Sequence, residues 1–151
     1  MSSSISVRQA VLSDLEELSG LFDEYRQFQK QPSDRDAARA FLKARFDHGE
    51  SVLFIAHDAG APVGFAQLYP SFSSVSLARV FVLNDLFVNP AGRRRGVAAG
   101  LLAAVEAHAW ALGAARVTLN VARDNEVAQQ LYEACGWKRD EQFDMFHRFP
   151  R

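Results

Sequence analysis

The stretch "LNDLFVNPAGRRRGVAAGLL", residues 83–102, decides how the rest of the chain is read. It closes the segment "RVFVLNDLFV", residues 79–88, which is rich in β-branched and aromatic side chains and predicts a strand. Asn89-Pro90 ends that strand. Gly92 and Gly96 permit positive φ, so successive amide N–H groups can turn into one concavity. From Val97 onward, Leu101, Val105, Ala109 and Leu112 step by three and four toward Gly113, the spacing of an amphipathic helix with a glycine stop. Strand, glycine-containing loop and helix start, in that order, make an anion site. The free N–H groups and the positive end of the helix dipole suit a phosphate or pyrophosphate. Ala98 and Ala99 keep the first turn small, so a bulky ligand can approach the backbone.

The three arginines inside the stretch, Arg93, Arg94 and Arg95, admit several readings: a solvated basic turn, a nucleic-acid patch, or the surround of one phosphate ligand. A nucleic-acid role is disfavoured. Seventeen Lys and Arg face eighteen Asp and Glu, the net charge is -1, and no aromatic residues interleave with the arginines. The Gly-Lys-Ser/Thr of a phosphate-binding NTPase loop is absent, and so is G-x-G-x-x-G.

Outward from this stretch the chain alternates strands and helices. "ISVRQA" (5–10) predicts a short strand, and Ser13 or Asp14 caps a helix running to Gln29 with Leu15, Leu18, Leu21, Phe22, Tyr25 and Phe28 on its apolar stripe. "QPSDRDAARAFLKARFDHG" (31–49) predicts a second helix with Ala38, Phe41, Leu42 and Phe46 on one face and a stop at Gly49. "SVLFIAHD" and "PVGFAQLYPSF" predict a hairpin joined by "AGA". After the central helix come a strand in "ARVTLNVA", a helix in "DNEVAQQLYEAC" and a final strand in "EQFDMFHRF". The order β-αα-β-β-β-α-β-α-β implies an α/β chain with a mixed sheet: antiparallel pairing in the first half, a crossover to a parallel pair in the second, and helices on both faces.

A chain of 151 residues with 48% hydrophobic content is expected to form one domain, residues 1–151. The single cysteine, Cys135, excludes an internal disulfide. The N-terminal stretch lacks the cationic and apolar regions of a leader, no apolar run is long enough for a membrane span, and no Cys/His cluster has metal-ligand spacing. These features predict a cytoplasmic protein without membrane, nucleic-acid or metal partners.

"Arg93-Arg94-Arg95-Gly96-Val97-Ala98" matches Arg/Gln-x-x-Gly-x-Gly/Ala, and residues 83–102 resemble the fourth strand, loop and third helix of the GCN5-related N-acetyltransferase (GNAT) superfamily. "NVARDNEVAQQLYEACGW" resembles the family's fifth strand, fourth helix and its closing Tyr-Glu…Gly-Phe/Trp pattern. The resemblance covers essentially the whole chain and is weakest over residues 1–50. It implies the acyl-CoA N-acyltransferase fold, about seven strands in a mixed sheet flanked by about four helices. It also implies acetyl-CoA as acyl donor, with CoA as product. Looser similarity of "Y-x-x-F" and "QLYPSFSS" points to a subgroup of small histone and polyamine acetyltransferases.

Carried onto these positions, the resemblance implies a bulged fourth strand that splays from the fifth, with Leu86, Phe87 and Val88 facing the pantetheine arm. Arg93, Arg94, Arg95, Gly96, Val97, Ala98 and Ala99 surround the pyrophosphate. Asn125 contacts the arm, and Tyr132 protonates the departing thiolate. Asn125, Ala128 and Tyr132 share one face of their helix, with Val127, Leu131 and Ala134 on a core face opposite. Cys135 reads as a small buried thiol. Relatives often carry Glu where this chain has Asn84, and an amide is no base. Alternation sends Asp85 to the other face. Deprotonation is then left to water or to another acid such as Glu24, and Asp85 is either a structural acid holding a neighbouring helix or loop or the direct base.

The acceptor pocket is expected between the first two helices and the third strand. "EYRQFQKQPSD" supplies Glu24, Tyr25, Arg26 and Phe28, and "QLYPSF" supplies Tyr69 and Phe72, beside Asn84 and Asp85. The expected reaction is acetyl transfer to a primary amine: a polyamine, a small amino compound or a lysine side chain. The alternatives are a protein Nα- or lysine acetyltransferase, or an acyl-CoA-binding module without turnover. A homodimer pairing C-terminal strands is expected from the same resemblance.

Overall fold

The computed structural model describes residues 4–151; residues 1–3, the start of the stretch read for a leader, lie outside the described residues. The described chain divides into two compact units meeting after Asn120. The first unit holds a five-stranded sheet in the order β1-β2-β3-β4-β5. Its strands are β1 (Ile5–Gln9), β2 (Val52–Asp58), β3 (Ala61–Ser73), β4 (Ala78–Val88) and β5 (Val117–Thr118). Helices α1 (Leu15–Phe28) and α2 (Arg35–His48) precede β2, and α3 (Val97–Ala111) joins β4 to β5. The first four strands pair antiparallel and β5 joins β4 in parallel, so the mixed sheet and its single crossover follow the expected pattern.

Strand β2 explains why helices cover both faces. Leu53 and Ile55 point one way and Phe54 and Ala56 the other, and all four are buried. On the first face Leu18, Leu21 and Phe22 of α1 and Ala38 and Leu42 of α2 close over Leu53, Ile55, Phe65 and Phe87. Phe65 takes Phe22 and Tyr25 edge-on, with ring centroids 5.8 and 5.7 Å apart. On the second face α3 buries Val97, Leu101, Leu102, Val105 and Ala109, and its His108 meets the edges of Phe54 and Phe81. Leu112, the last step of the predicted apolar stripe, falls past the helix end and is exposed.

Local polar contacts fix the helix starts. Asp14 precedes α1, yet its carboxylate does not cap the helix; it takes a bidentate bond from Arg8 at 2.7 and 2.8 Å and one from the Val11 N–H. The Arg8 contact, first among several, holds the Asp14 carboxyl below its usual range. Helix α2 starts two residues beyond Ser33, at Arg35, capped by Asp34, while the Ser33 hydroxyl donates to buried Asp23 of α1 at 2.7 Å.

The strand count differs from the expected seven. The strand predicted over 115–122 shortens to Val117–Thr118, and the segment 141–149 forms no strand. Alternation supplies two faces but not a hydrogen-bonding neighbour, and no ladder pairs this segment. The second unit, Val121–Arg151, contains helix α4 (Glu126–Ala134). No residue of α4 is fully buried, and Val127, assigned to a core face, is 80% exposed, with Ala134 exposed as well. Among the described residues no helix is long and apolar enough to cross a membrane.

Candidate active site

Strand β4 serves two places in the first unit. Its middle borders a cleft on the α1–α2 face, and its end leads into the glycine loop. The pairing of β3 with β4 slips between them: Gln67 stands opposite Asp85, Leu68 opposite Leu83, and Asn84 is the extra residue. A bulge of this kind bends the strand and re-aims its side chains. Asn84 and Asp85 therefore both border the cleft, and the expectation that Asp85 turns to the other face is corrected.

The cleft has a volume of about 430 Å³ and is bordered by Phe22, Arg26, Ala37, Ala38, Phe41, Tyr69, Asn84 and Asp85. Asp85 is 6% exposed and accepts from Gln67 Nε2 at 2.8 Å and from Asn84 Nδ2 at 3.2 Å. These donors hold the carboxylate by orienting dipoles, with no cation in an ion pair to it among the described residues. Burial, and after it the charge of Asp85, pushes the Tyr69 phenol up to about 12, so Tyr69 keeps its proton and serves only as a donor or neutral wall. Phe22 and Phe41 stack at 5.8 Å and form the apolar side.

Of the predicted acceptor residues, Arg26, Tyr69, Asn84 and Asp85 meet here. Tyr25 packs against Phe65 and Phe87, Glu24 is exposed on α1, and Phe28 lies beside Phe87 under the Arg93 guanidinium. Phe72 is 71% exposed, with the Arg79 guanidinium over its ring. Phe22, Phe41, Ala37 and Ala38 were not legible as cleft residues, because a helical stripe that lines a cleft has the same spacing as one that fills a core. The adjacent small pair Ala37-Ala38 was the available signal.

At the far end of β4, Asn89 caps a short 3₁₀ turn (Pro90–Gly92) by accepting from the Gly92 N–H at 3.1 Å. Gly96 then takes φ +78 at the N-cap of α3, with open space where a Cβ would stand. Arg94 also adopts positive φ, at +63. Among the described residues, no acceptor in the chain takes the backbone N–H groups of residues 94–99. This row of free donors at a helix start fits a pyrophosphate.

The arginines are less free than their sequence suggests. Arg93 turns back, its Nε donating to the Val88 carbonyl at 3.2 Å and its guanidinium lying 5.7 Å from the centroid of Phe28. Arg95 pairs with Asp58 at the end of β2, beside the Ser4 hydroxyl. Arg94 is exposed. On the open side of β4, β5 pairs only with Phe81 and Val82, so residues 83–88, with Leu86, Phe87 and Val88 among them, run on without a β5 partner.

The second unit carries the other predicted residues. Asn125 is the N-cap of α4, its carbonyl oxygen accepting from the Ala128 N–H at 3.1 Å, which leaves the amide NH₂ for another partner. Tyr132 is half-buried against Trp137, with centroids 6.0 Å apart, and burial pushes its phenol up. A phenol shifted this way stays protonated at neutral pH. Cys135 is half-buried rather than buried.

Known proteins share this architecture. The description "Acetyltransferase (GNAT) family" fits residues 15–137 of the chain. An uncharacterized N-acetyltransferase of Bacillus subtilis (strain 168) is 45% identical over 139 residues, covering 92% of this chain and 93% of the relative. The crystal structure of a probable acetyltransferase superposes with a TM-score of 0.90 at 38% identity, over 97% of this chain and 98% of the other. An aminoglycoside N-acetyltransferase in complex with CoA superposes with a TM-score of 0.81 at 25% identity, over 98% and 97%.

Proposed function

Because the chain belongs to the GNAT family of acetyl-CoA-dependent N-acetyltransferases, we propose that it transfers the acetyl group to a primary amine held in the β4 cleft, by direct attack and without an acyl-enzyme. One observation carries the reading: a single strand ends in a row of free backbone donors and, a few residues earlier, borders a cleft that contains a buried carboxylate. Bound acetyl-CoA supplies the activated thioester. Residues 94–99 hold its pyrophosphate through the main chain, and residues 86–88 offer strand backbone to the amide-bearing arm. The adenine nucleotide is met by Arg94 at the surface.

Alignment of amine and thioester across β4 provides the proximity term. Asp85 draws the proton from the ammonium form of the acceptor, directly or through water, in place of a carboxylate at Asn84. A backbone N–H near Val88 faces the carbonyl oxygen as charge builds on it. Tyr132, protonated at neutral pH, returns a proton to sulfur. We further propose that the protein works in the cytoplasm as a homodimer, a second copy covering Phe143, Phe146 and Phe149, all at least 78% exposed; light scattering reads the mass.

The test is a paired measurement. Acetyl-CoA should raise the melting temperature, and free thiol should appear when amines are added. Tyr132→Phe should lower kcat by roughly 10²-fold or more while leaving CoA affinity in place. Binding of CoA with no thiol release across a broad amine panel would instead identify an acyl-CoA-binding module.

A further inference from the structure

The cleft contains one full positive charge and one full negative charge among its bordering residues: Arg26 of α1 and Asp85 of β4. Asp85 is engaged by Gln67 and Asn84, both neutral donors. The Arg26 guanidinium has no hydrogen bond or ion pair among the described residues. The nearest acid on its own helix, Asp23, feels its charge but is already bound by the Ser33 hydroxyl, Gln27 Nε2 and the Asp34 N–H. A half-buried, five-donor fork with no acceptor, on the wall of a cavity, is the arrangement that recognises a carboxylate.

We propose that the acceptor is an amine that also carries a carboxylate, a free amino acid, with its anionic end on Arg26 and its amine on the Asp85 side. This rests on the transfer reading given above. A cleft of about 430 Å³ is of small-molecule size, which favours a free amino acid over a protein segment. Its formal charge is balanced by a zwitterion. A polyamine would set one of its ammonium groups against Arg26 with nothing to offset the repulsion, so the cleft selects against the polycations that the subgroup resemblance suggested.

Thiol release from acetyl-CoA is measured with 4-aminobutyrate, 6-aminohexanoate and L-lysine, each against its carboxamide, and with spermidine. The carboxylate form of at least one pair should show a kcat/KM on the order of 10–100-fold above its carboxamide, the range of a charge-assisted hydrogen bond. Arg26→Gln should bring kcat/KM for the carboxylate form down to that of its carboxamide, with the CoA-induced rise in melting temperature retained; Arg26→Lys should restore part of the difference. Equal rates within every pair, a higher rate with spermidine, or a preference that survives Arg26→Gln would overturn the proposal. If no acceptor releases thiol, the transfer reading fails by itself. Calorimetric titration of each pair into the CoA-bound protein then decides the carboxylate preference without turnover, and equal affinities reject it.

Discussion

At the residue scale, the proposed chemistry turns on Asp85, whose place in the cleft a reading of alternation missed. Within a regular strand, neighbouring side chains part to opposite faces, and Asn84 and Asp85 were assigned accordingly. The slip opposite Gln67 is a property of pairing, set by the partner strand, and leaves no mark in the local sequence. Arg26 shows the same limit. It was named for the acceptor pocket, but its lack of an acceptor depends on Ser33, Asp34 and Gln27 having taken Asp23. Asp85→Asn keeps the size of the group, leaves an oxygen for Gln67 and removes the proposed base. The expected result is a fall in kcat/KM of about 10²- to 10⁴-fold, with CoA affinity unchanged by calorimetry.

At the element scale, the strand, loop and helix of residues 79–111 were legible because each boundary has a residue that explains it. Asn89 caps the 3₁₀ turn, Gly96 adopts positive φ and the apolar stripe of α3 begins at Val97. The two glycines are needed for different reasons. Gly96 is required by its backbone angle, Gly92 by proximity: a Cβ there would stand 2.8 Å from Val63 Cβ and 3.0 Å from Val88 Cγ1. Gly92→Ala should therefore cost about 1–3 kcal/mol of stability in denaturant titration, as overpacking does. It should also weaken CoA, because relief of the clash pushes the loop away from β3. The C-terminal segment was misread as a strand because Phe143 and Met145 alternate as a strand would, while the pairing that makes one is absent.

At the scale of the whole molecule, stability should depend on pH through a group remote from the cleft. His108 projects from α3 between Phe54 and Phe81, and its buried Nε2 has no hydrogen-bond partner. Burial first, and the charge of Arg79 second, hold its imidazole below the ordinary range. The unfolded chain then binds this proton more readily than the folded one. The stabilising contribution is complete above the unfolded value of about 6.5 and is lost as pH falls through that value toward the folded one. The melting temperature should drop between pH 7.5 and about 5.5 in the parent protein and stay flatter in His108→Leu. An identical slope in both would place the pH sensitivity elsewhere.

The extra residue in β4 also makes that strand a phase shifter. Residues up to Leu83 keep one register with β3 and those from Asp85 onward another, and Asn84 belongs to neither. Exposed, and opposite no partner in β3, it touches the buried carboxylate through the bond from its Nδ2 to Asp85 at 3.2 Å. A carboxylate installed there, as in Asn84→Glu, would stand beside Asp85, and two such acids cannot both ionise freely. The exchange would also replace the amide donor that now holds Asp85 with a second acceptor. The position is thus a one-codon handle on the polarity beside Asp85, reached from the open side of the cleft.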